Sequence, residues 1–141
     1  MAKQKHCGGG KGEGKMGKTL LAMAAFSGFL AVAVGAFGAH GLRERLSPEM
    51  MAVFQTGVQY HFYHTAALLA VALLLQYAPL TSGLAWSGIC FVVGIVLFSG
   101  SLYLLALSEI RWLGAITPLG GTAFLAGWLL LAWSATKLPA L

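Results

Sequence analysis

Long apolar stretches alternate with short polar breaks along this chain. The first stretch, TLLAMAAFSGFLAVAVGAFGA (19–39), holds no charge over 21 residues. A helix of that length is roughly 31 Å long, the thickness of a bilayer's hydrocarbon. GVQYHFYHTAALLAVALLLQYA (57–78) and LAWSGICFVVGIVLFSGSLYLLAL (84–107) are of the same kind, and a fourth runs from Leu113 to Ser134. None shows the two-residue alternation of a strand, so helices are expected throughout. The pattern predicts an all-α membrane protein, a four-transmembrane-helix bundle over 19–136.

The breaks have physical causes. HGLRERLSPEM (40–50) carries Arg43, Glu44, Arg45 and Glu49, which lipid does not tolerate. Ser47 followed by Pro48 has the form of a helix N-cap with proline at the first helical position. A short interfacial helix between spans one and two is therefore expected from about Pro48, running into span two. APLTSG (78–83) reads as a tight turn. SEIRW (108–112) holds the charges between spans three and four. Residues 1–18 form a basic Gly/Lys-rich tail, expected to be disordered. The apolar run behind that tail is too long for a cleaved signal peptide.

Composition agrees with the pattern. Hydrophobic residues make up 58% of the 141 and charged residues 9%, where a soluble domain carries about 25% charged. The net charge is +5, yet five lysines (Lys3, Lys5, Lys11, Lys15 and Lys18) precede the first span. That placement suits membrane orientation and not a nucleic-acid surface. Four spans put both termini on one face. Those five lysines and Lys137 then oppose Arg43, Arg45 and Arg111 on the other face. The positive-inside rule places both termini in the cytoplasm. Without residues 1–15, Lys18 and Lys137 face three arginines and the count reverses. Trp86 and Trp133 fall near one interface and Trp112 near the other, while Trp128 lies deeper, as a packing residue. Cys7 and Cys90 belong to different depths, so no disulfide is expected between them.

The polar residues gather in the half of the bundle away from the termini. The candidates are His40, Gln55, Gln59, Tyr60, His61, His64, Ser99, Ser101, Tyr103 and Thr117. At 100° per residue, Gln55, Gln59, Tyr63, Thr56, Tyr60 and His64 fall along one side of span two. Polar groups in hydrocarbon are costly, so that side is expected to face the bundle interior or a wet cavity. His61 lies off the stripe but beside His64 by the i, i+3 rule.

Interhelical hydrogen bonding is the plainest account of the cluster. A pocket for a small solute, lipid head group or quinone-like ligand comes next, then a surface for a membrane partner. No acid or thiolate lies at matching depth to complete a metal shell, and no metal or cofactor is expected. No Ser/His/Asp set or paired intramembrane carboxylates suggest catalysis. With no Asp or Glu inside a span, a proton path would run on His, Tyr and water alone. Ala24 with Gly28, Ala31 with Gly35 and Ala123 with Gly127 have the spacing of close helix packing, within the chain before between chains.

Gly12–Thr19 match the spacing G-x-x-x-x-G-K-[ST] of a phosphate-binding loop. That loop needs a strand before it, and the chain contains no Asp for a metal-binding partner run. No nucleotide is expected.

SGFLAVAVGAFGAHGL (27–42), FQTGVQYHFYHTAALL (54–69) and VLFSGSLYLLALSEIRWLGAITPLGGTAFLAGW (96–128) together resemble a family of small bacterial inner-membrane proteins. It is domain of unknown function 423, also uncharacterised protein family 0382, with transmembrane protein 256 as its eukaryotic relative. The resemblance covers roughly 16–137 and implies a four-span protein of the bacterial plasma membrane. It carries over no catalytic or ligand residues. Residues 1–15 precede the family pattern, and Met16 stands where a family start would be. The expectation is a non-enzymatic accessory or scaffold protein, its partners the bilayer and either a membrane protein or a second copy. The alternative is binding or transport of a small solute, lipid or quinone-like ligand.

Overall fold

The computed structural model describes residues 10–77 and 82–138. Helix α1 (Gly10–Phe37) ends in a π-helical turn, Gly38–Leu42. Helix α2 spans Pro48–Tyr77 and α3 spans Ser82–Gly94. A second π-helical turn, Ile95–Ser99, joins α3 to α4 (Gly100–Ser108) within the third span. A single 3₁₀ stretch, Arg111–Ala115, leads into α5 (Thr117–Ala135). Four helical spans, 15–42, 48–77, 82–108 and 111–135, are long and apolar enough to cross a membrane, and no strand occurs among the described residues.

The ends of the elements follow from local chemistry. Ser47 caps α2, its hydroxyl accepting the Met50 N–H at 3.2 Å, with Pro48 at the first helical position. The turns expected at the interface from Pro48 are the opening of α2 itself, continuous with the span. Helix α4 stops at Glu109, whose φ of 57° is left-handed and whose N–H returns to the Leu105 carbonyl at 2.8 Å. Pro118 stands in the first turn of α5, where its missing N–H has no partner to lose.

The tail expectation needs correction. From Gly10 the chain is already helical, because extending a formed helix adds one hydrogen bond per residue without a new nucleus. Residues 1–9, Cys7 among them, lie outside the described residues, as does the turn at 78–81. The segment carrying the phosphate-loop spacing is helical over 12–19, so its backbone N–H groups beyond the first turn bond along the helix. Cys90 is a half-buried free thiol.

Span two is the centre of the bundle. Helix α1 packs on α2, and α3 packs on α5, while α4 and the π-helical turn at 95–99 also lean on α2. The small residues of span one face inward: Ala24 and Ala31 are buried. A Cβ on Gly35 would meet Val58 Cγ1 at 3.3 Å. Close packing of these residues is thus within the chain, as is that of Gly127 against Phe91.

Two apolar clusters result. One lies toward the face bearing the chain ends, with Leu20, Leu68, Val71, Leu84, Phe91 and Phe124. The other lies toward the opposite face, with Leu42, Phe54 and Ala106. Burial of each large side chain contributes about 1.5–3 kcal/mol in water. In lipid, whose tails are equally apolar, close packing takes over that role.

The closest approach joins spans three and four. A Cβ on Gly120 would lie 2.7 Å from the Phe98 Cα, inside the π-helical turn. Backbone cannot rotate away as a side chain can. Gly120→Ala is therefore expected to destabilise the fold by about 1–3 kcal/mol, seen as a lowered unfolding midpoint in detergent. Gly100→Ala is the control, since a Cβ there meets nothing within 4 Å. It should leave the midpoint unchanged or raise it by up to about 1 kcal/mol.

Candidate functional site

A polar layer lies between the two apolar clusters. His61 is buried, 5% exposed, and both ring nitrogens are engaged. Its Nε2 lies 3.0 Å from the Ser27 hydroxyl on span one and its Nδ1 lies 3.1 Å from the Tyr103 hydroxyl on span three. Ser27 also lies 2.6 Å from the Thr65 hydroxyl. One imidazole on span two thus binds spans one and three. Each such bond contributes on the order of 0.6–2 kcal/mol in a membrane.

His64 does the same toward span four. Its Nδ1 lies 2.8 Å from the Tyr60 carbonyl, so this nitrogen donates. Its Nε2 then accepts from the Trp128 indole N–H at 3.3 Å. The Phe124 ring stacks on the imidazole, 3.4 Å between centroids and 7° from parallel. With both nitrogens satisfied and one face covered, His64 is a packing residue. His61 and His64 turn to different neighbours and do not form a pair. Among the described residues, no three His, Cys, Asp or Glu side chains converge.

Other candidates divide in the same way. Ser101 and Thr117 hydroxyls meet at 2.9 Å and tie span three to span four. Tyr60 stacks on Phe98 at 4.5 Å. Ser99 is buried, and its hydroxyl has no partner among the described residues. His40 is exposed on the π-helical turn ending span one, apart from the rest.

Of the polar stripe of span two only His64 faces inward as expected. Gln55, Thr56, Gln59 and Tyr63 are exposed, whereas Phe54, Gly57, His61, His64 and Leu68 are buried. Packing selected the face carrying glycine and large apolar groups: a Cβ on Gly57 would lie 2.9 Å from the Tyr103 ring. Gln55 and Gln59 border a small groove of about 160 Å³ against Gly35, Gly38 and Ala39 of span one.

A larger cleft of about 370 Å³ opens between spans one and three, with span two as its floor. It is closed toward the chain ends, where Leu20 approaches Gly88. Met23, Phe26 and Leu30 form one wall, and Val92, Val96 and Gly100 the other. The polar groups lining it are Ser27, His61 and Tyr103. The order Ser27–His61–Tyr103 has the spacing of a nucleophile, a base and an orienting group. Tyr103 supplies no carboxylate to stabilise an imidazolium. The surrounding backbone N–H groups are spent within helices, so no oxyanion site faces Ser27. What the arrangement does show is hydrogen bonding of span two to spans one and three.

Comparison with known proteins decides the family. The family model described as "Protein of unknown function (DUF423)" matches residues 34–121. The UPF0382 membrane protein YwdK of Bacillus subtilis is 44% identical over 120 residues, covering 85% of this chain and 98% of that protein. The UPF0382 inner membrane protein YgdD of Escherichia coli is 45% identical over 119 residues, covering 84% and 90%. The chain belongs to the DUF423 family. No solved structure matches it. The family match takes in His61, His64, Ser101, Tyr103 and Thr117 and leaves Ser27, Phe124 and Trp128 outside.

Sequence reasoning passes over Ser27, Thr65 and the role of Trp128 in this DUF423 protein. A signal for Ser27 exists, since it is a lone hydroxyl in the middle of the first apolar run. Trp128 offers none, because its indole N–H finds a partner only once span four lies against span two. Trp128→Phe removes that donor and leaves a buried Nε2 unpaired. A loss of about 1–2 kcal/mol is expected, measured by unfolding in detergent, with the wild-type helix content retained.

Proposed function

We propose that this protein is a non-enzymatic membrane protein that binds a lipid-soluble small molecule in the cleft between spans one and three. The observation that carries the reading is the cleft's composition. It has a volume of about 370 Å³, within the range of small-molecule sites. Its walls are hydrocarbon, and three hydroxyl and imidazole side chains meet at one end of it. Such a site takes an amphipathic guest arriving from the bilayer. The expected accessory role has separate support in the outward-facing Gln55, Gln59 and Tyr63, since polar side chains on a span call for a neighbour.

Gly100 provides the test. Its Cβ position is open space and it lines the cleft, so the side chain of Gly100→Phe starts into open space and takes up cleft volume. Native mass spectrometry of gently extracted wild-type protein is expected to show a bound lipophile that Gly100→Phe loses. A wild-type protein that carries no small molecule but holds a second polypeptide at constant ratio would favour the accessory role instead.

For orientation we propose that both termini are cytoplasmic, on the balance of Lys15, Lys18 and Lys137 with the tail lysines against Arg43, Arg45 and Arg111. A reporter active only in the cytoplasm, fused after Leu141, is expected to be active. Activity of a periplasm-dependent reporter at the same position would reverse the assignment.

A further inference from the structure

The polar end of the cleft is a chain of four groups with a direction. Thr65 Oγ1 lies 2.6 Å from Ser27 Oγ, Ser27 Oγ lies 3.0 Å from His61 Nε2, and His61 Nδ1 lies 3.1 Å from the Tyr103 hydroxyl. A neutral imidazole donates from one nitrogen and accepts at the other, and a hydroxyl can accept twice, so the protons can be arranged in three ways. In the first, Tyr103 donates to Nδ1, Nε2–H donates to Ser27 and Ser27 donates to Thr65. The Thr65 proton is then left without an acceptor, on a side chain only 9% exposed. Thr19, Thr56, Thr122 and Thr136 each donate to a carbonyl of their own helix or its C-terminal turn. Thr65 has only Ser27 as a partner among the described residues.

In the second, Nε2–H and Thr65 both donate to Ser27 while Tyr103 donates to Nδ1, which leaves the Ser27 proton unspent in the middle of span one. The third arrangement spends every donor except the one at the end of the chain. Thr65 donates to Ser27, Ser27 donates to Nε2, and Nδ1–H donates to the Tyr103 oxygen. The free proton is then the Tyr103 O–H, at the wall of the cleft. An unsatisfied donor facing hydrocarbon is costly, so the cleft selects for a guest that accepts. No Lys or Arg is among its lining residues, which disfavours an anionic head. We propose, resting on the cleft reading above, that the guest is a neutral lipophile whose head group bears an oxygen acceptor, a carbonyl above all, seated on the Tyr103 hydroxyl.

The test uses two matched probes, decylbenzoquinone and decylbenzene, titrated by calorimetry into full-length protein in lipid nanodiscs. The quinone is expected to bind about tenfold more tightly, the worth of one hydrogen bond near 1.4 kcal/mol. Its carbonyl stretch should move to lower frequency in the infrared. Tyr103→Phe keeps the ring against Gly57 and removes only the hydroxyl. It should bring the quinone close to the affinity of decylbenzene and abolish the infrared shift. In ¹⁵N spectra, His61 of the wild-type protein should carry its proton on Nδ1. Equal binding of both probes with an unshifted carbonyl overturns the acceptor class and leaves the cleft reading standing. A His61 proton found on Nε2 overturns the direction of the chain. Failure of both probes to bind overturns the cleft reading and this inference with it.

Discussion

A bilayer gives a buried polar group nothing to bond with. That constraint organises the bundle, because His61 and His64 sit on the central span and must find partners among the others. His61 finds Ser27 and Tyr103, and His64 finds Trp128. Two adjacent imidazoles thereby fix the placement of three helices about a fourth. Apolar packing fills the space on either side, but in lipid it gives little preference for one rotation of a helix over another. The polar layer supplies the rotation.

The π-helical turn at 95–99 is the second device. It brings Phe98 onto Tyr60, with its own backbone pressed on Gly120. A π-helical turn adds a residue to the helical turn and re-aims the helix beyond it. Helix α4 then carries Ser101 toward Thr117 and Tyr103 toward His61. The cleft exists because spans one and three, bridged through His61, do not close on each other beyond Leu20 and Gly88. Structure and candidate function therefore share atoms: the network that holds three spans together also furnishes the polar end of the cleft.

Much of the fold is legible in the sequence. The four spans, the Ser47–Pro48 helix start and the inward-facing Ala24, Ala31 and Gly35 follow from run length, capping chemistry and side-chain size. Half of the candidate site is legible too, since His61, His64, Ser101, Tyr103 and Thr117 do make bonds between spans. The helical wheel fails in a definite way. It ranks the faces of span two by polarity and turns Gln55, Gln59 and Tyr63 inward. The actual interface forms where Gly57 admits the Tyr103 ring and where Phe54 and Leu68 are covered.

The sequence by itself determined that the chain is a four-span membrane protein and at what level along each span its polar groups lie. Run length and charge suffice for that, because the bilayer has one thickness and excludes charge everywhere along it. Only the tertiary structure decided which polar groups meet. Rotation about a helix axis costs lipid almost nothing, so neither the wheel of span two nor the lone Ser27 of span one could say where it would point. The partners did: a hydroxyl, a phenol and an indole from three other spans settled the orientation of two histidines, and with it the place of the cleft.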